Sequence, residues 1–176
     1  MSAAALRRLT GRMFVLRVSA LIAATMTTGL TAGVFGDWAV TIMPGLRATD
    51  DRTFVGAFQA MDRAIINPWF MSGFLGALVL TIAAAVLNPD RRLLPWVLAA
   101  LALYGVAFVV TIAVNVPMND ALKAAGDPDR IADPSAVRQT FDEARWLAWN
   151  LVRTLTTTVA FGCLCWALVA RGASSS

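Results

Sequence analysis

Residues 146–170 read WLAWNLVRTLTTTVAFGCLCWALVA, an apolar run long enough to cross the hydrocarbon core of a bilayer as one helix. Arg153 places a full positive charge seven residues into this run. On a helix, Asn150 and Arg153 are three residues apart and therefore share a face. The same spacing adds Trp146 and Trp149 to that face. An ionisable side chain inside a span is costly and commonly marks a functional site, so the stretch predicts a buried polar face in a helical membrane protein.

The composition identifies the chain as an integral membrane protein. Of its 176 residues, 58% are hydrophobic and only 15% are charged, whereas soluble domains average about 25% charged residues. This length accommodates one domain of four membrane spans with short connections. The net charge of +4 does not indicate nucleic acid binding, because the arginines cluster near the ends of apolar runs, as membrane topology favours. We therefore expect a lipid bilayer, and no nucleic acid, as a partner.

Residues that usually hold metals and shuttle protons are scarce. The sequence has no histidine, which removes the commonest metal ligand and the usual proton shuttle at neutral pH. Its two cysteines, Cys163 and Cys165, point to nearly opposite sides of a helix and cannot ligate one ion together. The sequence therefore predicts no metal site and no cofactor.

Four apolar runs predict an all-α fold, an antiparallel bundle of four transmembrane helices. The first run is longer than the apolar core of a cleaved signal peptide, about 7–15 residues, so we expect it to be retained. Pro44 and Pro117 are expected to end or kink the first and third helices. The predicted segments are a basic leader (1–17), spans at about 18–43, 69–87, 93–114 and 146–170 within a membrane domain of residues 18–170, and a polar tail (171–176).

Two shorter helices are predicted outside the spans. Thr53 to Asn67 carries apolar residues at helical spacing, with Gln59 and Asp62 among them. This pattern predicts an amphipathic helix that lies at the membrane interface or folds back over the bundle. A short helix from about Ser135 to Arg145 is expected to lead directly into the fourth span.

The distribution of charge predicts the orientation in the membrane. If both termini lie on one side, that side carries seven arginines and one acid. The opposite loops carry seven basic residues and nine acids over about twice the length. Because the density of basic residues is higher on the terminal side, the positive-inside rule predicts cytoplasmic termini and a multi-pass protein of the inner (plasma) membrane.

The polar residues within the spans are predicted to converge in the outer half of the bundle. Arg153 lies roughly 10 Å below the outer end of its span at 1.5 Å per residue. Asp37 lies at a matching depth in the antiparallel first span. An Asp37–Arg153 ion pair is therefore the leading expectation, with Asp62 of the covering helix as the alternative.

The other three spans also contribute hydrogen-bonding groups to this region, through Asn67, Asn115, Asn119 and Asn150. One interpretation is that these groups join the helices and satisfy backbone atoms freed at the prolines. The other is a pocket for a small aromatic or quinone-like ligand, walled by tryptophans. In that pocket Arg153 would stabilise an anion such as a phenolate or enolate.

Five stretches taken in order resemble a known family, the anthrone oxygenase-like integral membrane proteins, many of whose bacterial members form a domain of unknown function. The resemblance covers roughly residues 20 to 170. The stretches are Met43-Pro44-Gly45-Leu46, Thr53-Phe54-Val55 through Gln59, Ile65-Ile66-Asn67-Pro68-Trp69-Phe70, Asn115-Val116-Pro117-Met118-Asn119-Asp120-Ala121-Leu122, and Trp146-x-x-Trp149-Asn150-x-x-Arg153.

The resemblance implies an oxidoreductase that oxidises an anthrone, or a similar flat, lipophilic, phenolic substrate, with dioxygen. The absence of histidine and of a metal-ligand set predicts that this chemistry proceeds without a metal. Asp37 or Asp62 would take the substrate proton. The alternative is a non-enzymatic membrane protein that binds lipid, quinone or a partner subunit. The residues expected to act are Arg153, Asn150 and Asp37 as catalytic groups, with Trp146, Trp149, Asn115, Asn119, Asn67 and Gln59 binding the substrate.

Overall fold

The computed structural model describes residues 3–173, so Ser174 to Ser176 of the predicted tail and the first two residues of the predicted leader lie outside it. Within this range the chain is helical and contains no β-strand. The helices are α1 (Ala3–Asp37), α2 (Met43–Arg47), α3 (Asp51–Ile65), α4 (Pro68–Leu87), α5 (Leu94–Val110), α6 (Val116–Ala124), α7 (Pro134–Phe141) and α8 (Glu143–Ala173). Two π-helical segments, Trp38–Ile42 and Thr111–Asn115, join α1 to α2 and α5 to α6.

Four helical stretches are long and apolar enough to cross a membrane, and they confirm the predicted four-helix bundle. They are Leu9–Arg47, Pro68–Leu87, Leu94–Ala124 and Pro134–Ala173. Around the bundle, α1 packs on α4, α4 on α5, α5 on α8 and α8 on α1. Because consecutive spans run in opposite directions, both chain ends and the turn after α4 lie at one end, the terminal end. The other end, the loop end, carries α2, α3, α6 and α7.

Small side chains bring the spans close together. In the central core, fully buried alanines face one another from α4, α5 and α8, for example Ala77, Ala107 and Ala160. Small residues at such contacts allow close backbone approach, which is how helices associate where lipid supplies no hydrophobic drive. Phe74, Tyr104 and Leu164 are buried in the same core. Other large apolar side chains point outward, and Val40, Val79 and Trp69 are 76%, 62% and 91% exposed. This arrangement matches a surface that contacts acyl chains.

The two prolines expected to end or kink helices instead lie just beyond the π-helical segments. Pro44 and Pro117 have no N–H to bond the carbonyls four residues before them, those of Val40 and Ala113, and their rings crowd those carbonyls. Val40 and Ala113 each lie in the middle of a π-helical segment. The wider π turn accommodates the crowding, so both spans continue past the proline to the loop end. Single π turns inside α-helices are frequent at functional sites.

The predicted amphipathic helix folds over the loop end as α3. Asp50 caps it, and the hydroxyl and backbone N–H of Thr53 donate to its carboxylate, which lowers the pKa of Asp50. The apolar face of α3 buries Phe54 and Phe58 completely. Phe58 lies 4.7 Å from Phe141 of α7, measured between ring centroids. The predicted short helix before the fourth span is α7, and the two short helices together close the loop end.

Arg138 of α7 connects this helix to α8, to α3 and to the loop before α3. Its Nε donates to Glu143 at 2.5 Å, and its Nη1 donates to Asp51 and to the carbonyl of Thr49, both at 3.0 Å. The guanidinium carbon lies 4.3 Å from the centroid of the Phe54 ring. Only 16% of the side chain is exposed, so solvent screens these contacts less than it would on an open surface.

Replacing Arg138 with alanine is expected to destabilise the fold by about 1–3 kcal/mol, because Glu143 and Asp51 lose their shared partner. The measurement is thermal unfolding of the protein in detergent, followed by tryptophan fluorescence. Arg130→Ala is the matched control, since Arg130 is 87% exposed and forms one pair with Asp127, worth under about 1 kcal/mol. Equal Tm values for the two variants would contradict this role of Arg138.

Candidate functional site

A cavity of about 210 Å³ lies at the loop end, beneath α3 and between the spans. All four spans contribute to its wall, together with α3 and α6. Its aromatic and aliphatic lining is Phe35, Trp38, Ile65, Ile66, Phe70, Met71, Phe74, Ile112, Val116 and Trp146. Its polar lining is Asp62, Thr111, Asn119, Asp120, Lys123 and Arg153. Apolar walls with a few convergent polar groups are the usual composition of a small-molecule site.

Arg153 lines the cavity from α8 and is only 6% exposed. Its Nη2 donates to Oδ1 of Asn150 at 2.7 Å, and its Nη1 donates to the hydroxyl of Thr111 at 3.4 Å. The guanidinium carbon lies 4.4 Å from the centroid of the Phe35 ring and 5.5 Å from that of Trp146, within cation–π range. Its Nε is buried and has no hydrogen-bond partner.

The charge of Arg153 is not balanced by a carboxylate. None of the ion pairs within residues 3–173 includes Arg153. Its contacts are an amide, a hydroxyl and two aromatic rings, all of them neutral. A buried cation held only by neutral partners favours an anion in the adjoining cavity, because an opposite charge would offset its desolvation.

A chain of hydrogen-bonded side chains in the cavity lining connects α3 to α8. Asp62 accepts a hydrogen bond from Nδ2 of Asn119 at 2.6 Å, and Oδ1 of Asn119 accepts one from Nε1 of Trp146 at 2.7 Å. The ammonium group of Lys123 lies 2.7 Å from the other Asp62 oxygen and 2.9 Å from Asp120. These contacts fix the Asp62 carboxylate, the Asn119 amide and the Trp146 indole in one orientation.

The predicted Asp37–Arg153 pair does not form, and Asp62 does not pair with Arg153 either. Asp37 is exposed and lines a groove on the outer surface of the bundle. Its neighbours Phe35 and Trp38 turn inward and line the cavity. Residues on a helix are rotated by about 100° per position, so Asp37 faces away from the cavity that Phe35, Trp38 and Arg153 line.

Asn150 and Asn115 are fully buried behind the cavity wall rather than in its lining. Asn150 donates from Nδ2 to the carbonyl of Phe35 at 3.0 Å while its Oδ1 holds Arg153. Asn115 donates to the carbonyl of Trp146 at 3.4 Å, and its Oδ1 has no hydrogen-bond partner. Asn150 therefore orients Arg153, and both asparagines join spans.

Besides Asn115, three further predicted binding residues lie outside the cavity lining. Asn67 caps α4, accepting from the backbone N–H of Phe70 at 3.0 Å. Trp149 is 38% exposed on the outward side of α8. Gln59 donates to the carbonyls of Leu122 and Gly126 at 3.0 and 3.1 Å. The Leu122 carbonyl lies in the last turn of α6 and also accepts from the backbone N–H of Ala125, whereas Gly126 follows the helix. Gln59 therefore fixes the end of α6 beneath α3.

Replacing Gln59 with leucine is expected to destabilise the fold by about 1–3 kcal/mol, because both hydrogen bonds from the buried Gln59 amide to the end of α6 are lost. Ligand affinity should stay unchanged, since the amide does not face the cavity. Thermal unfolding and ligand titration of the same preparation measure both effects. Gln139→Leu on the exposed side of α7 is the control. A large loss of affinity at unchanged Tm would instead place Gln59 in the binding site.

Sequence reasoning missed Thr111, Lys123 and Phe35, which complete the surroundings of Arg153 and Asp62. One signal was present: Val116, Asn119 and Lys123 are spaced three and four residues apart and share a helical face. That signal required α6 to be recognised as a helix through Pro117. The described residues contain no group of three or more His, Cys, Asp or Glu side chains placed to hold a metal ion.

Comparison with known proteins matches the chain to a family. The sequence model of a family described as anthrone oxygenase matches residues 68–163, more than half of the chain. This segment contains Asn119, Lys123, Trp146 and Arg153, whereas α1 and α3 with Asp62 lie outside it. The chain matches no curated protein and no solved structure.

Proposed function

The chain belongs to the anthrone oxygenase family, and on that premise we propose that it oxidises a flat, lipophilic, phenolic substrate with dioxygen in the cavity beside Arg153. One observation carries the proposal: the buried guanidinium of Arg153 borders a cavity with aromatic walls and has only neutral partners. An anionic form of the substrate would supply the missing negative charge. Stabilising that anion lowers the barrier to forming it, and this is the electrostatic role the site supports.

The reaction is written for an anthrone, in which a methylene group lies between aromatic rings conjugated to a carbonyl. Loss of one methylene proton gives an enolate with its charge on oxygen, beside Arg153. The anion transfers its electrons to dioxygen, a C–O bond forms, and protonation gives a hydroperoxide. Loss of water from this hydroperoxide breaks the O–O bond and the second C–H bond. One CH2 group and one O2 thus become one C=O group and one water.

Asp62 is the proposed acceptor of the first proton, since its carboxylate lines the same cavity as Arg153. Lys123 and Asn119 hold its oxygens in place, and a positioned base of this type contributes roughly 10²–10⁴-fold to a rate. The rings of Trp146 and Phe35 would hold a flat substrate by stacking. The electron donor in this scheme is the substrate carbanion itself, so the proposal includes neither a metal nor an organic cofactor.

The size of the cavity limits the substrate. About 210 Å³ is below the range of about 300–1,000 Å³ typical of sites for drug-sized ligands. A flat tricyclic substrate would therefore fill the cavity and displace the side chains of Ile65 and Ile66 at the end of α3. A bulky or branched phenol would not fit.

The test is turnover of dithranol, a hydroxylated anthrone, by purified protein in phosphatidylcholine vesicles. We expect quinone absorbance to rise with uptake of one dioxygen per quinone formed, well above the autoxidation rate in protein-free vesicles. A rate equal to that of protein-free vesicles, for dithranol and for other flat phenols, would contradict the oxygenase function. Saturable dithranol binding without turnover would favour a non-enzymatic function in binding lipid or quinone.

Orientation in the inner membrane is also proposed, with both termini in the cytoplasm. The arginines at the terminal end, such as Arg17 and Arg171, support it by the positive-inside rule. The cavity at the loop end would then lie in the outer half of the bilayer, within reach of substrate dissolved in that leaflet.

A further inference from the structure

A groove on the lipid-facing surface lies beside the cavity. It has a volume of about 830 Å³ and is bordered by α1, α3 and Phe161 of α8. Its lining is apolar apart from the carboxylate of Asp37. The groove and the cavity share two lining residues, Trp38 and Ile65. The side chains of these two residues therefore form a wall between the bilayer surface and the cavity.

The two residues of this wall differ in their backbone setting. Trp38 is the first residue of a π-helical segment inside the continuous first span. Ile65 is the last residue of α3, and Ile66 after it is 63% exposed. Loop and element-terminal positions of this kind absorb the dihedral changes of opening motions. A rotation of Ile65 away from Trp38 would connect the groove with the cavity.

Gly33 has no side chain, and this leaves part of the groove open. A Cβ atom added at Gly33 would have no heavy atom within 4 Å, whereas one added at Gly29 would lie 2.8 Å from the Phe161 ring. Gly33 therefore leaves space that a flat molecule can occupy. Asp37, one helical turn further along α1, can accept a hydrogen bond from a phenolic hydroxyl. The same carboxylate would repel a phenolate, so the groove selects the neutral form.

We propose that this groove is the uptake site for the substrate, which diffuses in the bilayer as a neutral lipophilic phenol and passes between Trp38 and Ile65 into the cavity. The proposal rests on the proposed function for the identity of the ligand. It adds a binding site outside the cavity, with Asp37 as its polar contact. The proton is lost only after the substrate reaches Arg153 and Asp62, so the chain separates recognition of the neutral molecule from stabilisation of the anion.

The experiment measures how fast dithranol reaches the cavity, independently of turnover. Dithranol dissolved in phosphatidylcholine vesicles is mixed with protein vesicles without oxygen, and quenching of tryptophan fluorescence is followed in time. Gly33→Leu fills the groove and is expected to slow the quenching at least about tenfold, with Gly33→Ala intermediate. Ile65→Ala removes most of one side chain of the wall, so quenching is expected to be faster. Gly105→Leu is the matched control, because a Cβ at Gly105 also has no heavy atom within 4 Å and Gly105 lines neither the groove nor the cavity.

The outcomes separate this proposal from the oxygenase function. Slower quenching in Gly33→Leu but not in Gly105→Leu supports the groove, even if no variant oxidises dithranol. Turnover with equal quenching rates in both variants would contradict the groove as the uptake site but would not contradict the oxygenase function. Absence of any dithranol binding overturns the groove. A wild-type dimer that dissociates in Gly33→Leu, measured by mass photometry, also overturns it by assigning the groove to a second copy of the chain.

Discussion

Replacing Arg153 with alanine is expected to lower kcat/KM for dithranol oxidation by roughly 10²–10³-fold, the range found when one preorganised donor to a developing oxyanion is removed. The physical reason is the position of the guanidinium, which is buried, borders the cavity and has no carboxylate partner among the described residues. The substrate anion would then form in an apolar cavity without an opposing charge. The measurement is the initial rate of quinone formation, corrected for autoxidation.

Three further variants distinguish the charge from the fold. Arg153→Lys keeps a cation but loses the planar fork that contacts Asn150 and Thr111, so an intermediate rate is expected. Arg153→Met keeps most of the side-chain volume and should resemble alanine in rate. Arg145→Ala removes an exposed arginine from the same helix and should leave the rate unchanged. If Arg145→Ala and Arg153→Ala lose activity equally, the effect is not specific to the cavity.

Asp62→Asn is expected to lower kcat by roughly 10²–10⁴-fold, because an amide cannot accept the substrate proton. The volume is conserved, so the packing against Asn119 and Lys123 changes little. The effect should appear mainly in kcat, since Asp62 acts on the bound substrate. Steady-state rates at saturating dithranol measure it.

Asp120→Asn is the matched control for Asp62→Asn. Both carboxylates contact the same ammonium group of Lys123, but the Asp120 side chain is 60% exposed and that of Asp62 only 7%. An effect within about threefold is expected for Asp120→Asn, as for a partly exposed ion pair. Equal losses in the two variants would mean that Lys123, rather than the Asp62 carboxylate, sets the rate.

The sequence predicted the bundle well because the bilayer constrains it strongly. The four apolar runs correspond to four helical stretches that are long and apolar enough to cross a membrane, three of which extend well beyond the predicted spans. The amphipathic pattern of residues 53–67 correctly predicted a helix over the bundle, since its apolar face had to be buried. The third span does not end at Pro117 but continues to Ala124 through a π turn, and this continuation depends on local backbone geometry rather than on residue type.

The site was predicted in part, because sequence gives the position of a residue along a helix but not the rotation of that helix. Arg153, Trp146 and Asn119 all line the cavity. Asp37 lines the groove instead, and only the packing of α1 against its neighbours determines that rotation. Gln59 could not be assigned either, since sequence does not show that its amide is occupied by the carbonyls at the end of α6.

The central claim is that the cavity beside Arg153 binds the substrate as an anion, and an anaerobic absorption titration tests it most directly. Dithranol is added to protein vesicles without oxygen, at a pH at which it is neutral in protein-free vesicles. We predict that one equivalent acquires the absorption spectrum of the dithranol anion in the wild-type protein and stays neutral in Arg153→Met. A neutral spectrum in both proteins, with dithranol bound, would contradict the claim.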